Sequence, residues 1–383
     1  MIGKGTCPVA RKRDVMRIGI LVLSIGDSGQ KGFYHTQETG LARELDKLFD
    51  EVKVYKLVSV GQKRNSEQIA GCGNASILFL PARKIGNHGL IDTSALDGTL
   101  DAMVLFADTQ FSVPAVFRWS VKNSVRLLPY IGVTESHSAS TLKRTIVDWL
   151  FGRNIRVYRK CSCLAKTPAV EQSLKRIGVG DITVTPVGLD ITLLKTDYLD
   201  TSSAALKRKY DFSEEDRVLL FVGRLTEEKQ PLQMVDIFVR LAATDGAFRL
   251  LMVGTGELKD AVKESIHRHG IDGKVHMLER VPNRDMWELY RLSEAFINLN
   301  RLEIVGMAIL EAMYYGCKVI AWKAPGPDFI IEDGVSGWLV SEDSQVIAGI
   351  LDMRDVSRRA HESVLERFTW ETAAQRIRKL LNS

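Results

Sequence analysis

The feature that most constrains the fold is a series of short runs that are apolar at nearly every position. RIGILVLS at 17–24, RVLLFV at 217–222 and FRLLMV at 248–253 are the clearest. A strand with one wet face alternates polar and apolar residues. A strand that does not alternate is buried on both faces, which requires a parallel sheet covered by helices on each side. Further runs of this kind lie at 52–60, 76–80, 102–107, 127–133, 163–167 and 182–187, and then at 274–277, 295–299, 318–321 and 337–340. Between them come stretches with helical period, such as 37–49 with Leu41, Leu45 and Leu48 on one face, then 231–242 and 258–269. Pro231 falls in a first helical turn, where its missing N–H costs least. The polar stretch 188–216 breaks the rhythm and reads as a linker. The pattern predicts an α/β chain of two Rossmann-like, doubly wound domains at 16–190 and 191–365. A basic tail (1–15) precedes them, and a last helix (366–383) returns to the first domain, pinned by Phe368 and Trp370. Ligands of such sheets bind beyond the carboxyl ends of the strands, so two edges facing each other make a cleft.

Composition removes several classes. The 383 residues carry 52 Lys and Arg against 47 Asp and Glu, a formal charge of +5. That is too little for a dense cationic nucleic-acid face. Apolar residues make 45% and charged residues 26%, an ordinary globular mix. No apolar run is long enough to span a bilayer. The 5 cysteines are an odd number, and the start lacks a signal-peptide core, so a reducing cytoplasm is expected. Cys161 and Cys163 form a CxC pair without two further ligands nearby, and read as structural thiols.

The candidate chemistry follows strand ends. After the first run comes SIGDSGQKG, whose Gly29 and Gly32 allow close backbone approach to a ligand or simply make a loop. It is not the GxGxxG fingerprint, so a nicotinamide enzyme ranks last. RVLLFV runs into GRLTEEK, which sets Arg224 and Lys229 five residues apart. A guanidinium fork and a mobile ammonium suit a diphosphate, although Glu227 and Glu228 offer ordinary surface partners. FRLLMV runs into GTGE, with Gly254 and Gly256 at another strand–helix turn. In RLEIVGMAILEAMYY, Glu303 and Glu311 bracket Gly306, and a helix starts at about Met307. Free N–H groups there favour an anion or a sugar hydroxyl. An ionised Glu311 accepts from vicinal hydroxyls, and Glu303 does so for a second ring. Read alone, each Glu is equally an ordinary helix or loop acid.

Together and in this order, the pieces resemble the family 4 glycosyltransferases, retaining enzymes of the GT-B fold, from Leu219 to Trp370. FVGRLTEEK is similar to the family's diphosphate-binding loop, LLMVGTGEL to its next strand and glycine turn, and VHMLERVPNRDMWELY to the segment bordering the base, here Arg280 and Val281. EIVGMAILEAMYYGCKVIAW is similar to the EX7E element, with Glu303 toward the donor sugar and Glu311 toward the ribose. Ile304 and Val305 stand where the family often has glycine and phenylalanine, and Glu279 where it often has glycine. The first half resembles the family more loosely. His137 lies where the family often has a histidine near the donor sugar, or else is a turn residue; Asp108 is a second candidate there, or else a helix cap.

The resemblance implies transfer of a sugar from a UDP- or GDP-type donor, with Arg224, Lys229, Glu303 and His137 at the reacting centre. Gly29, Gly32, Gly254, Gly256, Arg280, Val281, Gly306, Met307 and Glu311 hold the donor. No DxD motif occurs, so no metal is implied, and no cofactor beyond the donor. The acceptor is a glycan, a lipid-linked group or a protein. No nucleic-acid partner is expected, and the basic tail suggests peripheral contact with an anionic membrane, in polysaccharide or glycoconjugate assembly. A non-catalytic partner subunit on the same fold is the alternative, followed by a phosphorylase or epimerase.

Overall fold

The computed structural model describes residues 16–25, 37–62, 64–85, 88–106, 108–134 and 141–383. The chain divides into two compact units. The first holds the described residues up to Gly188 together with Trp370–Ser383; the second is Leu189–Thr369.

The first unit is built on a nine-stranded sheet. Its strands are β1 (Arg17–Val22), β2 (Glu51–Ser59), β3 (Glu67–Gln68), β4 (Ala75–Ile85), β5 (His88–Ile91), β6 (Ala102–Phe106), β7 (Arg126–Ile131), β8 (Cys163–Ala165) and β9 (Ile182–Val184). The order is β3-β4-β2-β1-β6-β7-β8-β9, with β5 on β4. All neighbours are parallel except β3 and β5, which run antiparallel to β4. Sequence reading ends the third run at Leu80, yet β4 continues through Pro81 to Ile85 and turns back as β5. The continuation holds Arg83 and Lys84, both exposed. A strand paired at the rim needs no apolar run, which is why continuous hydrophobicity misses it.

The second unit is a parallel sheet of β10 (Arg217–Val222), β11 (Phe248–Val253), β12 (Val275–Leu278), β13 (Ala295–Asn298), β14 (Lys318–Trp322) and β15 (Trp338–Val340), in the order β12-β11-β10-β13-β14-β15. β10 shows why the apolar runs are continuous. Val218 and Leu220 enter one core with the helices Met286–Leu292, Met307–Tyr314 and Ser357–Arg367. Leu219 and Phe221 enter the opposite core with Pro231–Thr244 and Asp343–Leu351. Successive side chains point to opposite faces and both faces are dry. Each unit is thus doubly wound and Rossmann-like, the GT-B architecture that the resemblance implies.

Two expectations are corrected. The stretch after Gly188 is not a free linker: Tyr198, Leu206 and Phe212 are buried in the second core, and the helix Ser203–Lys209 packs on Met286–Leu292. A few large side chains among polar ones anchor an irregular segment without leaving a periodic signal. Phe368 and Trp370 do not share a task either. Phe368 belongs to the second core, whereas Trp370 opens the last helix, Trp370–Asn382, and lies against Gly40 of the first unit. A Cβ on Gly40 would come within 2.4 Å of the indole Nε1.

Candidate active site

In the second sheet β10, the first strand, lies between β11 and β13. Chain order reverses there, and crevices of open α/β sheets form at that point, beyond the carboxyl ends of the strands. β10 delivers Gly223 and Arg224, followed by a short 3-10 turn, Glu227–Lys229. β13 delivers Asn298, Asn300 and Glu303. The two exits meet. Lys229 Nζ lies 2.7 Å from Glu303 Oε2. Asn300 Nδ2 donates to the same oxygen at 3.1 Å and to Glu228 Oε1 at 3.2 Å, and Asn298 Nδ2 reaches Glu303 Oε2 at 3.5 Å. Glu228 in turn holds Arg224 Nη2 at 3.3 Å. One chain of polar contacts therefore joins Arg224, Glu228, Asn300, Glu303 and Lys229. Among the described residues every donor to Glu303 uses Oε2, which leaves Oε1 open to a hydroxyl. Arg224 is the outermost member, its side chain 65% exposed against 21% for Lys229. The neighbouring-acid alternative holds for Arg224, whose partner is Glu228; it fails for Lys229, whose partner comes from across the switch point.

The loop bearing Glu303 is fixed by a segment to which sequence reading assigned no site residue. Gly326 N–H donates to the Glu303 carbonyl at 2.8 Å. A Cβ on Gly326 would sit 2.8 Å from Val305 O. Gly306, at φ +84°, caps the helix Met307–Tyr314, and no side chain caps it. Its left-handed backbone suits glycine, and a Cβ there would lie 3.5 Å from Glu303 Cγ. The uncapped helix start thus adjoins Glu303, and Met307 follows directly. Helix N-termini bind anions because their first N–H groups lack intrahelical partners.

Glu311, one turn into that helix, is buried, and Tyr290 Oη donates to its Oε2 at 3.0 Å. Burial pushes its carboxyl up to about 7, partly opposed by the Tyr290 hydrogen bond. It lies on the helix whose start adjoins Glu303. Tyr290, Asn298, Asn300 and Gly326 are the members missed from sequence. The asparagines of NLN directly after an apolar strand were a readable signal; Tyr290 and Gly326 gave none, being placed by packing.

The glycine turns have a different basis from the expected one. Gly254, at φ +152°, lies so close to the β10 exit that a Cβ would fall 1.8 Å from Gly223 O, and a Cβ on Gly256 would fall 2.4 Å from Leu225 O. These residues are glycine so that two backbone exits can pack together; ligand approach is not needed to explain them. Arg280 is exposed and Val281 half-buried against the second core, just past β12. Glu279 pairs with Lys259. Gly29, Gly32 and His137 lie outside the described residues. In the first unit Asp108 is neither a free cleft acid nor a helix cap: its Oδ1 accepts from the N–H groups of Gly132 and Val133 at 2.7 and 3.2 Å, tying the end of β6 to that of β7. Cys161 and Cys163 are both buried. Among the described residues no group of three or more His, Cys, Asp or Glu is placed to hold a metal, and no helix is long and apolar enough to cross a membrane.

Residues 202–359, all within the second unit, match the family model described as glycosyl transferases group 1. The fold is shared with a glycosyltransferase from Rickettsia africae (TM-score 0.71, 16% identity, 96% of this chain and 98% of that one). It is shared also with the Anabaena protein HepE in complex with UDP and glucose (TM-score 0.69, 18% identity, 96% and 99%). Among curated proteins the chain is similar to the alpha-monoglucosyldiacylglycerol synthase of Acholeplasma laidlawii (23% identity, 46% of this chain and 44% of the relative). It is similar also to the N-acetyl-alpha-D-glucosaminyl L-malate synthase of Bacillus anthracis (26%, 45% and 47%). The matched stretch spans less than half the length of these two relatives.

Proposed function

We propose that the protein is a retaining glycosyltransferase that moves a sugar from a nucleoside-diphosphate sugar to an acceptor hydroxyl. The observation that carries this reading is the contact chain Arg224–Glu228–Asn300–Glu303–Lys229 at the switch point of the second sheet, beside the uncapped start of the helix Met307–Tyr314. Transfer breaks the bond between the anomeric carbon and the diphosphate and forms one to the acceptor oxygen. Charge grows on the leaving diphosphate, and stabilising it is where a protein gains most. Arg224, Lys229 and the helix N–H groups supply that charge. Glu303 Oε1 accepts from hydroxyls of the sugar, and Glu311 from the ribose, while the base lies against Arg280 and Val281. With retention, the acceptor attacks on the face the diphosphate leaves, and its proton passes to a diphosphate oxygen, so no protein base is assigned. The names of the two curated relatives specify alpha-glycosides, the outcome of retention from an alpha-configured donor. HepE holds UDP and glucose, which favours a UDP sugar.

The test is a thermal-unfolding panel of UDP, GDP, ADP and their sugars, followed by donor-hydrolysis assays. A ligand at 100 times its Kd stabilises the native form by about 2.7 kcal/mol, so one nucleoside diphosphate raises the Tm by several degrees and its sugar is hydrolysed slowly. A panel with no shift and no hydrolysis overturns the reading.

A further inference from the structure

The first unit holds a cation that, among the described residues, carbonyls hold and no carboxylate neutralises. Arg153 is half-buried on the helix Thr141–Tyr158, and among the described residues it forms no ion pair. Its Nη2 donates to the carbonyls of Phe111 at 2.6 Å and Gln110 at 3.3 Å, and its Nε is buried without a partner. Carbonyl groups need donors, not a charge. The same loop is already held by Asn154 Nδ2, on the carbonyls of Asp108 (3.2 Å) and Gln110 (3.0 Å), and by Tyr158 Oη on Asp108. Withdrawing a guanidinium from water without a carboxylate is costly, so its charge requires another explanation.

Its position supplies one. The loop 108–111 leaves the carboxyl end of β6, and β1 lies between β2 and β6, so this is the switch point of the first sheet. His88 is bridged to Ser24 just past β1. Its ring lies 4.7 Å from that of Phe111, with Nδ1 3.0 Å from Gln110 Oε1. The guanidinium carbon sits 5.6 Å from the Phe111 ring and 5.7 Å from that of Trp149. Trp149 is 61% exposed, a large indole left in water on one side. Residues 141–160 hold six Lys or Arg and one acid, Asp148, so this segment alone accounts for the chain's formal excess of +5.

We infer that Arg153 and Trp149 form an acceptor subsite for a phosphate ester, with the guanidinium on the phosphate and the indole against the carbon skeleton of the polyol that carries it. With Nη2 on the carbonyls and Nε buried, Nη1 is the nitrogen left for a phosphate oxygen, in a charge-assisted hydrogen bond, and an aromatic face offers apolar area beside a polar group. The phosphate belongs either to a soluble polyol phosphate or to a lipid headgroup. The inference deepens the transfer reading and rests on it for the word acceptor; the binding itself does not.

The test measures binding without donor. The tryptophan emission of the full chain is titrated with glucose 6-phosphate, glucose, and vesicles of phosphatidylglycerol or phosphatidylcholine. The expected result is a saturable change with glucose 6-phosphate or with phosphatidylglycerol, and none with their neutral counterparts; which of the two responds identifies the source. Trp149→Phe abolishes the change, and Arg153→Gln weakens binding at least tenfold, while Arg153→Lys restores only part. Both positions are read in variants that keep the thermal shift with UDP, so a fault in folding is visible. Equal binding by Arg153→Gln and the unaltered chain, or silence toward both phosphate probes, overturns the inference. Absence of the UDP shift in the unaltered chain instead strikes the donor reading.

Discussion

Glu311→Gln separates what burial does to this site from what the ligand does. The carboxyl is buried, and its pKa of about 7 against an ordinary 4.5 means the folded chain keeps a proton that the unfolded chain releases. A folded pKa that is raised contributes stability fully present below pH 4.5 and lost as the pH climbs through 7. A gap of 2.5 units at 1.36 kcal/mol per unit corresponds to about 3 kcal/mol withdrawn by pH 8. Glutamine fills the same space, still accepts from Tyr290 Oη and does not ionise. Its Tm advantage over the unaltered chain should therefore be only about 2–3 °C at pH 5, where about 0.8 kcal/mol has been withdrawn. At roughly 2–4 °C per kcal/mol for a unit of this size, it should reach about 6–12 °C at pH 8. Ligand-free melts of both chains from pH 5 to 8 measure it. A difference that does not grow with pH refutes the burial reasoning. With UDP bound, hydroxyl donors stabilise the ionised carboxylate, so the UDP shift of the unaltered chain should grow above pH 7, and that of Glu311→Gln should not.

Three further outcomes follow from the geometry. Lys229→Ala and Arg224→Ala should each lower donor turnover, by about 10²–10³-fold for Lys229, with little change in Tm for the exposed Arg224, whose surface pair is worth about 0–1 kcal/mol; unchanged turnover in both removes the charge-stabilisation argument. Gly254→Ala places a methyl group against Gly223 O, and should destabilise the second unit by about 3 kcal/mol or more; a denaturant midpoint within error of the unaltered chain contradicts the close packing of the two exits. Trp370→Ala empties the face of Gly40 and should cost about 3–5 kcal/mol in the unfolding of the first unit, read by chemical denaturation; a loss below 1 kcal/mol would mean that the last helix is held elsewhere.

The parts legible in sequence share one property: they depend on residues near each other along the chain. Continuous apolar runs announced both parallel sheets, because a strand buried on two faces leaves no alternation. Arg224, Lys229, Gly306 and Glu303 stood out as charges and glycines immediately past such runs. The rim strands β3 and β5 did not, because they need no apolar run. The segment around Tyr198 and Phe212 passed for a linker because burial of scattered aromatics has no period. Gly254 and Gly256 were noticed, but the reason for them was another strand exit 31 residues earlier in the chain, at Gly223 and Leu225.

What the sequence determined by itself is the class of fold and the short motifs at strand ends, since period and spacing follow directly from helix and strand geometry. Tertiary structure alone decided the partners. It gave Lys229 to Glu303, brought Tyr290 under Glu311 and Gly326 beneath the Glu303 loop, and left Arg153 without a carboxylate among the described residues. Those choices belong to residues far apart in the chain, and only packing of the sheets and helices sets the distances through which charge and hydrogen bonds act.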